Sequence, residues 1–161
     1  MRNCRQGCVG MVLLALVLAF SSPVWAASSE QKTLTPEERA VLAPLEKVFD
    51  GIAKHDRSLA KEQLLPGGMV TLKRSDRIVQ MSFDQFVEHI PVTGTEKLEE
   101  RIHDPLIRID DDIAIIWAPY VFSIDGKGDH EGTDIVNLVK KDGRWLISGI
   151  ADNGRKVQGG R

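Results

Sequence analysis

Between Lys97 and Asp152 the sequence alternates apolar and polar residues, and this pattern restricts the fold more than any other feature of the chain. A period of two residues is typical of β-strands that bury one face. Turn signals at Asp110-Asp111, Gly126-Lys127 and Asp142-Gly143 predict four strands, over residues 97–109, 112–125, 128–141 and 144–152. Because two-residue turns join antiparallel neighbours, we expect a meander of three successive hairpins.

The residues before this region carry helix signals. Thr35, Pro36 and Glu38 predict a capping box with proline at the first helical position. Pro44 lies inside the same helix and predicts a kink or a late start there. Apolar residues recur at helical spacing and predict one buried stripe, made by Val41, Leu45, Val48, Phe49 and Ile52.

Shorter elements connect the first helix to the sheet. Asp56 is predicted to cap a short helix through about Leu64. A hairpin follows, with residues 69–74 against residues 77–81, and a third helix is predicted over 82–89, where Ser82 and Gln85 form a second capping box. Three helices followed mostly by a long, curved antiparallel sheet predict an α+β fold in which the helices cover one face of the sheet.

The amino terminus has the features of an export signal. Arg2 and Arg5 precede an apolar run over residues 9–20, and Val24-Trp25-Ala26 leads to a predicted cleavage site between Ala26 and Ala27. The apolar run is shorter than the roughly 20 residues that cross a bilayer, so we expect a cleaved signal and no membrane association afterwards. The mature protein is then expected to be periplasmic or secreted.

We therefore expect a signal peptide at residues 1–26, a disordered linker at 27–34, one folded domain at 35–155 and a flexible tail at 156–161. Cys4 and Cys8 leave with the signal, so the mature domain has no thiol for a disulfide, a nucleophile or a metal ligand. The 21 basic residues less Arg2 and Arg5 leave 19 against 23 acidic residues, a net charge of −4. This mild acidity argues against nucleic acid as a partner.

Motifs in the sheet region carry a family resemblance. They are Leu98-Glu99-Glu100-Arg101, the segment from Ile113 to Ile124 with Asp125-Gly126-Lys127, His130-Glu131-Gly132-Thr133-Asp134, and Gly143-Arg144-Trp145-Leu146-Ile147 with Ile150-Ala151-Asp152. Across about residues 36–155 the chain resembles the nuclear transport factor 2-like superfamily and, within it, the lumazine-binding and SnoaL-like branch. The resemblance implies a cone-shaped, cystatin-like fold whose open end forms a ligand pocket. It names no reaction, since relatives on this fold isomerise, dehydrate, hydrolyse or only bind.

The predicted two-residue turns also predict which residues face the pocket. They place Trp117 opposite Asp104 and Val136, and Leu138 opposite Ile147. The face taken as concave, because Trp145 and Ile147 need the first helix to bury them, carries Glu100, Trp117, His130, Asp134, Leu138, Trp145 and Ile147. The other face carries Arg101, Tyr120, Phe122, Thr133, Ile135 and Ile150. A slip of one residue would exchange the two sets.

The candidate ligand-binding residues come from the predicted concave face, and they are Trp117, His130, Asp134, Glu100, Val136 and Leu138. Asp134 is the most informative of them, because a carboxylate in the middle of an apolar strand is costly to bury without a partner. It either pairs structurally, with Arg101, His130 or a helix end, or serves a ligand, and we favour the structural pairing. Trp117 also fits a purely structural role in the core.

Neither a metal nor a cofactor is expected. The run Asp110-Asp111-Asp112 lacks the glutamate and the glycine of a calcium loop, and His55-Asp56 has no second histidine pair nearby. Phosphate-binding loops and serine-nucleophile motifs are absent from the sequence.

Three functional hypotheses stay open at this point. The first, which we favour, is an exported protein that binds a small apolar or aromatic ligand. The second is an enzyme resembling ketosteroid isomerase or a dehydratase, in which Asp134 or Glu100 moves a proton while His130 or Tyr120 donates a hydrogen bond to the developing oxyanion. The third is an interaction module that forms a homodimer through the outer face of its sheet.

Overall fold

The computed structural model describes residues 33–157. The predicted signal peptide with its cleavage site, residues 27–32 of the predicted linker and residues 158–161 of the predicted tail lie outside this range. The described part has an α+β fold, with three helices in its first half and a large, mixed, mostly antiparallel sheet. The predicted fold class is confirmed. No helix within residues 33–157 is long and apolar enough to span a membrane.

The three helices begin at the caps that the sequence predicts. Helix α1 (Pro36–Ala53) starts with the box in which the Glu38 amide donates to Thr35 Oγ1 at 3.1 Å, and it continues through Pro44 without a late start. Helix α2 (Arg57–Lys61) is capped by Asp56, which accepts from the Ser58 amide at 2.9 Å, and it ends before the predicted Leu64. Helix α3 (Phe83–His89) follows the second capping box.

Eight strands form one sheet. They are β1 (Leu64–Arg74), β2 (Arg77–Ser82), β3 (Leu98–Ile102), β4 (Leu106–Asp110), β5 (Ile113–Ile124), β6 (Lys127–Lys141), β7 (Arg144–Asp152) and β8 (Arg155–Lys156). The main path through the sheet is β2-β1-β7-β6-β5-β3, with β4 also paired to β5 and β8 to β6. Strands β1 and β7 run parallel, and every other pair is antiparallel.

The predicted strand 97–109 is two strands, because the chain breaks at His103-Asp104-Pro105. Asp104 adopts a left-handed φ of 41°, and Pro105 has no amide to donate to a ladder. The His103 amide still donates to the Pro119 carbonyl at 2.8 Å, so the break stays anchored to β5. On either side of it β3 and β4 pair with β5 in registers that differ by one residue.

Two predicted turns are displaced by one position. The connections are Asp111-Asp112 and Asp125-Gly126, and only the turn at Asp142-Gly143 is where the sequence pattern predicts it. Asp125 and Gly126 both have positive φ, 52° and 75°, which suits the tight turns that match strand twist. Moving a two-residue turn by one position shifts the pairing by two residues, so this displacement alone leaves every side chain on its predicted face.

A bulge in β6 is what exchanges the faces of β5. Phe122 pairs with His130 and Ser123 with Gly128, so Asp129 is the extra, unpaired residue. As a result Trp117 lies opposite Ile135 and not Val136, and it lies opposite Leu106 and not Asp104. Trp117 therefore lies on the outer face, which corrects its predicted position on the concave face.

The other face list needs the matching correction. Tyr120 and Phe122, predicted on the outer face, lie on the inner face with His130, Asp134 and Glu100. Ile150 also turns inward, because Leu138 pairs with Ile147 as predicted but Asn137 pairs with Gly149, which leaves Ser148 as a second bulge. Ile135 is on the outer face as predicted, with 36% of its surface exposed.

The core lies between helix α1 and the inner face of the sheet. The largest fully buried side chains come from both layers, and they are Leu45, Ile116, Leu138, Ile147, Val41, Val48, Val70 and Val136. Trp145 is also buried, in agreement with its predicted position under the first helix. The alternation of buried Ala114, Ile116 and Ala118 with exposed Ile115 and Trp117 makes β5 the clearest marker of which face is inside.

Truncation of two adjacent isoleucines tests this assignment of faces. Ile116→Ala removes a side chain that is 0% exposed, and we expect a loss of about 2–5 kcal/mol in the free energy of unfolding. Ile115→Ala makes the same chemical change where 45% of the surface is exposed, and its cost to the isolated subunit should stay below about 1 kcal/mol. Denaturant unfolding of both variants measures the two values. A larger loss for Ile115→Ala than for Ile116→Ala would contradict the assignment of the inner and outer faces of β5.

Candidate functional site

A cavity of about 180 Å³ lies between the helices and the inner face of the sheet. Its apolar wall comes from α1, β1, α3, β5 and β7, and consists of Leu45, Val48, Phe49, Ile52, Val70, Leu72, Phe86, Phe122 and Ile150. Its polar wall comes from five strands, and consists of Arg74, Glu100, Tyr120, His130, Asp134 and Asp152. The helices contribute only apolar side chains to the lining, so every polar or titratable side chain of the lining belongs to the sheet.

Strand pairing explains why the polar groups converge. Across neighbouring strands Glu100 pairs with Phe122, Phe122 with His130, and Asp134 with Asp152, so all of these side chains point to one face. Leu72 on β1 pairs with Asp152 on β7, and Arg74 follows two residues later on the same face. The irregularities at Asp129 and Ser148 are needed for this arrangement.

Asp152 is the centre of a satisfied network. The Tyr120 hydroxyl donates to Asp152 Oδ1 at 2.8 Å, and the Gly154 amide donates to the same oxygen at 2.6 Å. Arg74 forms an ion pair with Asp152 Oδ2. Gly154 has to be small, since a Cβ there would lie 2.8 Å from the Tyr120 hydroxyl and 3.1 Å from the Arg74 guanidinium. Burial, followed by the Asp152 charge, raises the pKa of Tyr120.

Glu100 and Asp134 form a carboxyl pair that has no such cation. Asp134 is 6% exposed, and its side chain is hydrogen-bonded to that of Glu100. Burial, reinforced by the Asp134 charge, raises the pKa of Glu100 well above its ordinary value. Burial, reinforced by the Asp152 charge, raises the pKa of Asp134 to about 7, although the Glu100 hydrogen bond and Arg74 oppose this. The hydrogen bond raises the pKa of Glu100 and lowers that of Asp134, so Glu100 is the donor of the pair and Asp134 the acceptor.

His130 forms the rim of the cavity. Its ring stacks on Phe122 with 4.8 Å between centroids and meets Tyr120 edge-on at 5.7 Å. Its Nδ1 lies 3.0 Å from Asp129 Oδ2, and Asp129 also accepts from Lys156 Nζ at 2.8 Å. His130 and Arg74 also line a neighbouring concavity of about 380 Å³.

The structure brings together some of the residues that the sequence predicts and separates others. Glu100, His130 and Asp134 line the cavity, as does the catalytic candidate Tyr120. Val136 and Leu138 lie on the same face but are packed in the core, with 0% and 1% exposure, and do not line the cavity. Trp117 is 48% exposed on the opposite face.

The predicted structural partner of Asp134 is also different. Arg101 is turned outward, where its Nε and Nη2 donate to Glu99 at 2.9 and 2.8 Å, and His130 faces Asp129. No described Lys, Arg or His forms an ion pair with Asp134. Sequence reasoning missed Arg74, Phe122 and Asp152 as site residues. Asp152 belongs to the Ile150-Ala151-Asp152 motif, which could have indicated it, but only the bulge at Ser148 turns it inward.

Metal binding has no preformed geometry in this part of the chain. Among residues 33–157, no group of three or more His, Cys, Asp or Glu side chains is arranged to hold a metal ion. The run Asp110-Asp111-Asp112 spans the end of β4 and the turn into β5.

Comparison with known proteins identifies the fold. No protein-family model matches the chain, and no curated protein matches it significantly. Solved structures do match. A nuclear transport factor 2-like protein of unknown function from Shewanella baltica is 18% identical, with a TM-score of 0.60, over 78% of this chain and 99% of its own.

Two further structures agree with this result. A nuclear transport factor 2-like protein from Cytophaga hutchinsonii is 14% identical, with a TM-score of 0.62, over 76% of this chain and 100% of its own. A protein of unknown function with a cystatin-like fold from Nostoc punctiforme is 10% identical, with a TM-score of 0.60, over 77% and 96%. The domain thus has the nuclear transport factor 2-like, or cystatin-like, fold.

The carboxyl pair generates a prediction about pH and stability. The unfolded chain releases the protons of Glu100 and Asp134 near pH 4, whereas in the native protein the pKa of Asp134 is raised to about 7 and that of Glu100 well above its ordinary value. The native state thus binds more protons than the unfolded state between these values, and the stabilising contribution of the pair is lost as pH rises. Glu100→Gln cannot ionise, so we expect it to gain stability relative to the parent as pH rises from 4 to 8.

Denaturant unfolding at a series of pH values measures this difference. Glu99→Gln is the matched control, since the hydrogen bond from Arg101 lowers the pKa of the neighbouring Glu99. Relative to the parent, Glu99→Gln should become less stable as pH rises through the acidic range, because it lacks the carboxylate that Arg101 stabilises. If the difference in unfolding free energy between Glu100→Gln and the parent did not change with pH, the two carboxyls would not share a proton in the native state.

Proposed function

We propose that this domain binds a small organic molecule in the cavity between α1 and the inner face of the sheet. The observation that carries the proposal is a cavity with an extended apolar wall and a small set of convergent polar groups, which is the usual composition of a ligand site. Its volume, about 180 Å³, is below the roughly 300–1,000 Å³ of sites for drug-sized molecules. The ligand is therefore a compact one.

Two further parts of the proposal concern the setting of this domain. The motifs between Trp117 and Tyr120 and between His130 and Asp134 support a place in the lumazine-binding and SnoaL-like branch. The signal sequence at residues 1–26 supports export to the periplasm or the medium. Both rest on sequence features alone.

Proton transfer by the carboxyl pair is the alternative within the same cavity. A carboxylate with a pKa of about 7 suits a general base, and Asp134 has one. Catalysis of the ketosteroid isomerase kind also needs a free donor for an oxyanion. Here the Tyr120 proton goes to Asp152, and His130 Nδ1 faces Asp129. Binding without reaction agrees better with this arrangement.

Filling the cavity tests the binding proposal. Benzyl alcohol is a compact aromatic probe, and we expect it to shift the NMR signals of Phe122, Tyr120 and Ile150. Ile150→Trp fills the space from the β7 side and should weaken this binding at least tenfold, because the probe and the indole ring compete for one volume. Ile78→Trp, the same change at a position that is 67% exposed, should leave binding unchanged. A cavity that takes up neither benzyl alcohol nor any other small aromatic probe would overturn the proposal.

A second functional candidate is a homodimer formed through the outer face of the sheet. The observation that favours it is a contiguous group of exposed apolar residues, which we call the outer apolar face, made by Leu106, Ile113, Ile115, Trp117 and Ile135. Trp117 lies between Leu106 and Ile135 across three adjacent strands. Contiguous exposed apolar residues often mark a protein–protein interface, and a two-fold axis would pair this face with itself.

The oligomeric state tests this second candidate. We expect sedimentation of the parent protein at high micromolar concentration to give the mass of a dimer. Ile115→Lys should give a monomer, because a charge would be buried without a partner at the interface. Ile78→Lys makes the same change on the edge strand β2, outside the outer apolar face, and should remain dimeric. A monomeric parent, or dimers of both variants, would refute the role of this face.

A further inference from the structure

The hydrogen bonds around the cavity already use the donors of Tyr120 and Glu100 and two N–H groups of Arg74. The Tyr120 hydroxyl donates to Asp152, and the proton of Glu100 is given to Asp134. Arg74 donates to Asp152 and, at 3.0 Å, to the Lys73 carbonyl. The other N–H groups of Arg74 belong to a cation that is already paired with Asp152. Apart from them, the polar wall offers a ligand mainly acceptor lone pairs, on Asp134, Glu100, Asp152 and Tyr120. The complementary ligand is a hydrogen-bond donor.

The charge of the polar wall has the same implication. Three acidic side chains, Glu100, Asp134 and Asp152, face the cavity with one cation, Arg74, and that cation is already paired with Asp152. The remaining titratable groups are Tyr120, which is neutral, and His130 at the rim. The lining residues from α1 and α3 carry no charge. An anionic ligand would meet acidic groups without a free cation, whereas a cation would supply the partner that Asp134 lacks.

The apolar wall suits a particular type of cation. Phe49, Phe86 and Phe122 line the cavity together with Tyr120, and the faces of such rings attract organic cations. This attraction grows when the cation is desolvated. Aromatic side chains next to the Glu100–Asp134 pair are complementary to a ligand that combines an apolar group with a positively charged nitrogen.

From these three observations we infer that the cavity selects compact organic ammonium compounds, with the positive nitrogen at the Glu100–Asp134 pair and the apolar body against the phenylalanine rings. The inference rests on the proposed binding function and names its ligand class. It also implies proton linkage: the ammonium group pairs with the Asp134 carboxylate, so a proton that Asp134 carries in the empty site leaves to solvent when the ligand binds.

Two probes of equal size test the inference with the intact mature protein. Benzylammonium carries the charge, and benzyl alcohol replaces the nitrogen with a neutral hydroxyl. We expect calorimetry and NMR at pH 8 to show at least tenfold tighter binding of benzylammonium. Its affinity should rise about tenfold from pH 6 to pH 8, as expected for one carboxyl with a pKa of about 7, and at pH 6 binding should release up to about one proton.

Variants locate the effect at the carboxyl pair. In Glu100→Gln combined with Asp134→Asn, the preference for benzylammonium over benzyl alcohol should disappear while benzyl alcohol still binds, which also shows that the variant is folded. Glu99→Gln is the matched control. Glu99 precedes Glu100 on β3 and points to the opposite face, where it pairs with Arg101, so this variant should keep the preference. Equal or tighter binding of benzyl alcohol by the parent would overturn the inference and leave the binding function intact.

The other outcomes are also decisive. If benzylammonium binds more tightly but the double variant keeps that preference, the charge is recognised elsewhere and the inference is wrong. If neither probe shifts the signals of the cavity residues, the binding function fails together with the inference.

Discussion

Three departures of one residue from regular strand pairing determine which side chains face the cavity. They are the break at residues 103–105, the bulge at Asp129 in β6 and the bulge at Ser148 in β7. In a regular ladder, a shift of one residue moves every later side chain to the opposite face. Each departure has local support, since the His103 amide is held by Pro119, Asp129 by His130 and Lys156, and Ser148 by the Asn137 carbonyl. The site exists because these contacts stabilise an irregular register.

The same three departures explain which parts of the site the sequence could predict. Glu100, His130 and Asp134 were predicted on one face, and the structure brings them together because the break beside β5 and the bulge in β6 compensate each other. Strand β5, between the two, has its faces exchanged, and this is why Trp117 is outside and Tyr120 and Phe122 are inside. The bulge at Ser148 has the same effect on the end of β7, where Ile150 turns inward. Periodicity shows that a strand alternates, but it does not show where a ladder skips a residue.

The helices and the fold class were predictable for a different reason. Capping boxes at Thr35 and Ser82 are local signals that span four residues each, and both form as predicted. The turn at Asp142-Gly143 is equally local, and the Leu138–Ile147 pairing next to it follows. Asp152 and Arg74 meet over a separation of 78 residues through the parallel pairing of β1 with β7. No local sequence pattern indicates that contact. For this reason the sequence analysis missed Arg74 and Asp152, the ion pair of the polar wall.

Arg74, the one arginine of the polar wall, pairs with Asp152 and leaves Asp134 without a cationic partner. This unequal pairing determines the electrostatics of the cavity. Asp152 holds Arg74, Tyr120 and the Gly154 amide, so its charge is fully compensated by the protein. Asp134 is as deeply placed but depends on another carboxyl, an arrangement that is stable only while one proton is shared. Burying a carboxyl pair without a cation costs folding free energy that an apolar pair of similar volume would not cost. The fold thus keeps an acidic group without a cationic partner where α1 supplies only apolar side chains, and a cationic ligand would complete the pairing that the chain leaves open.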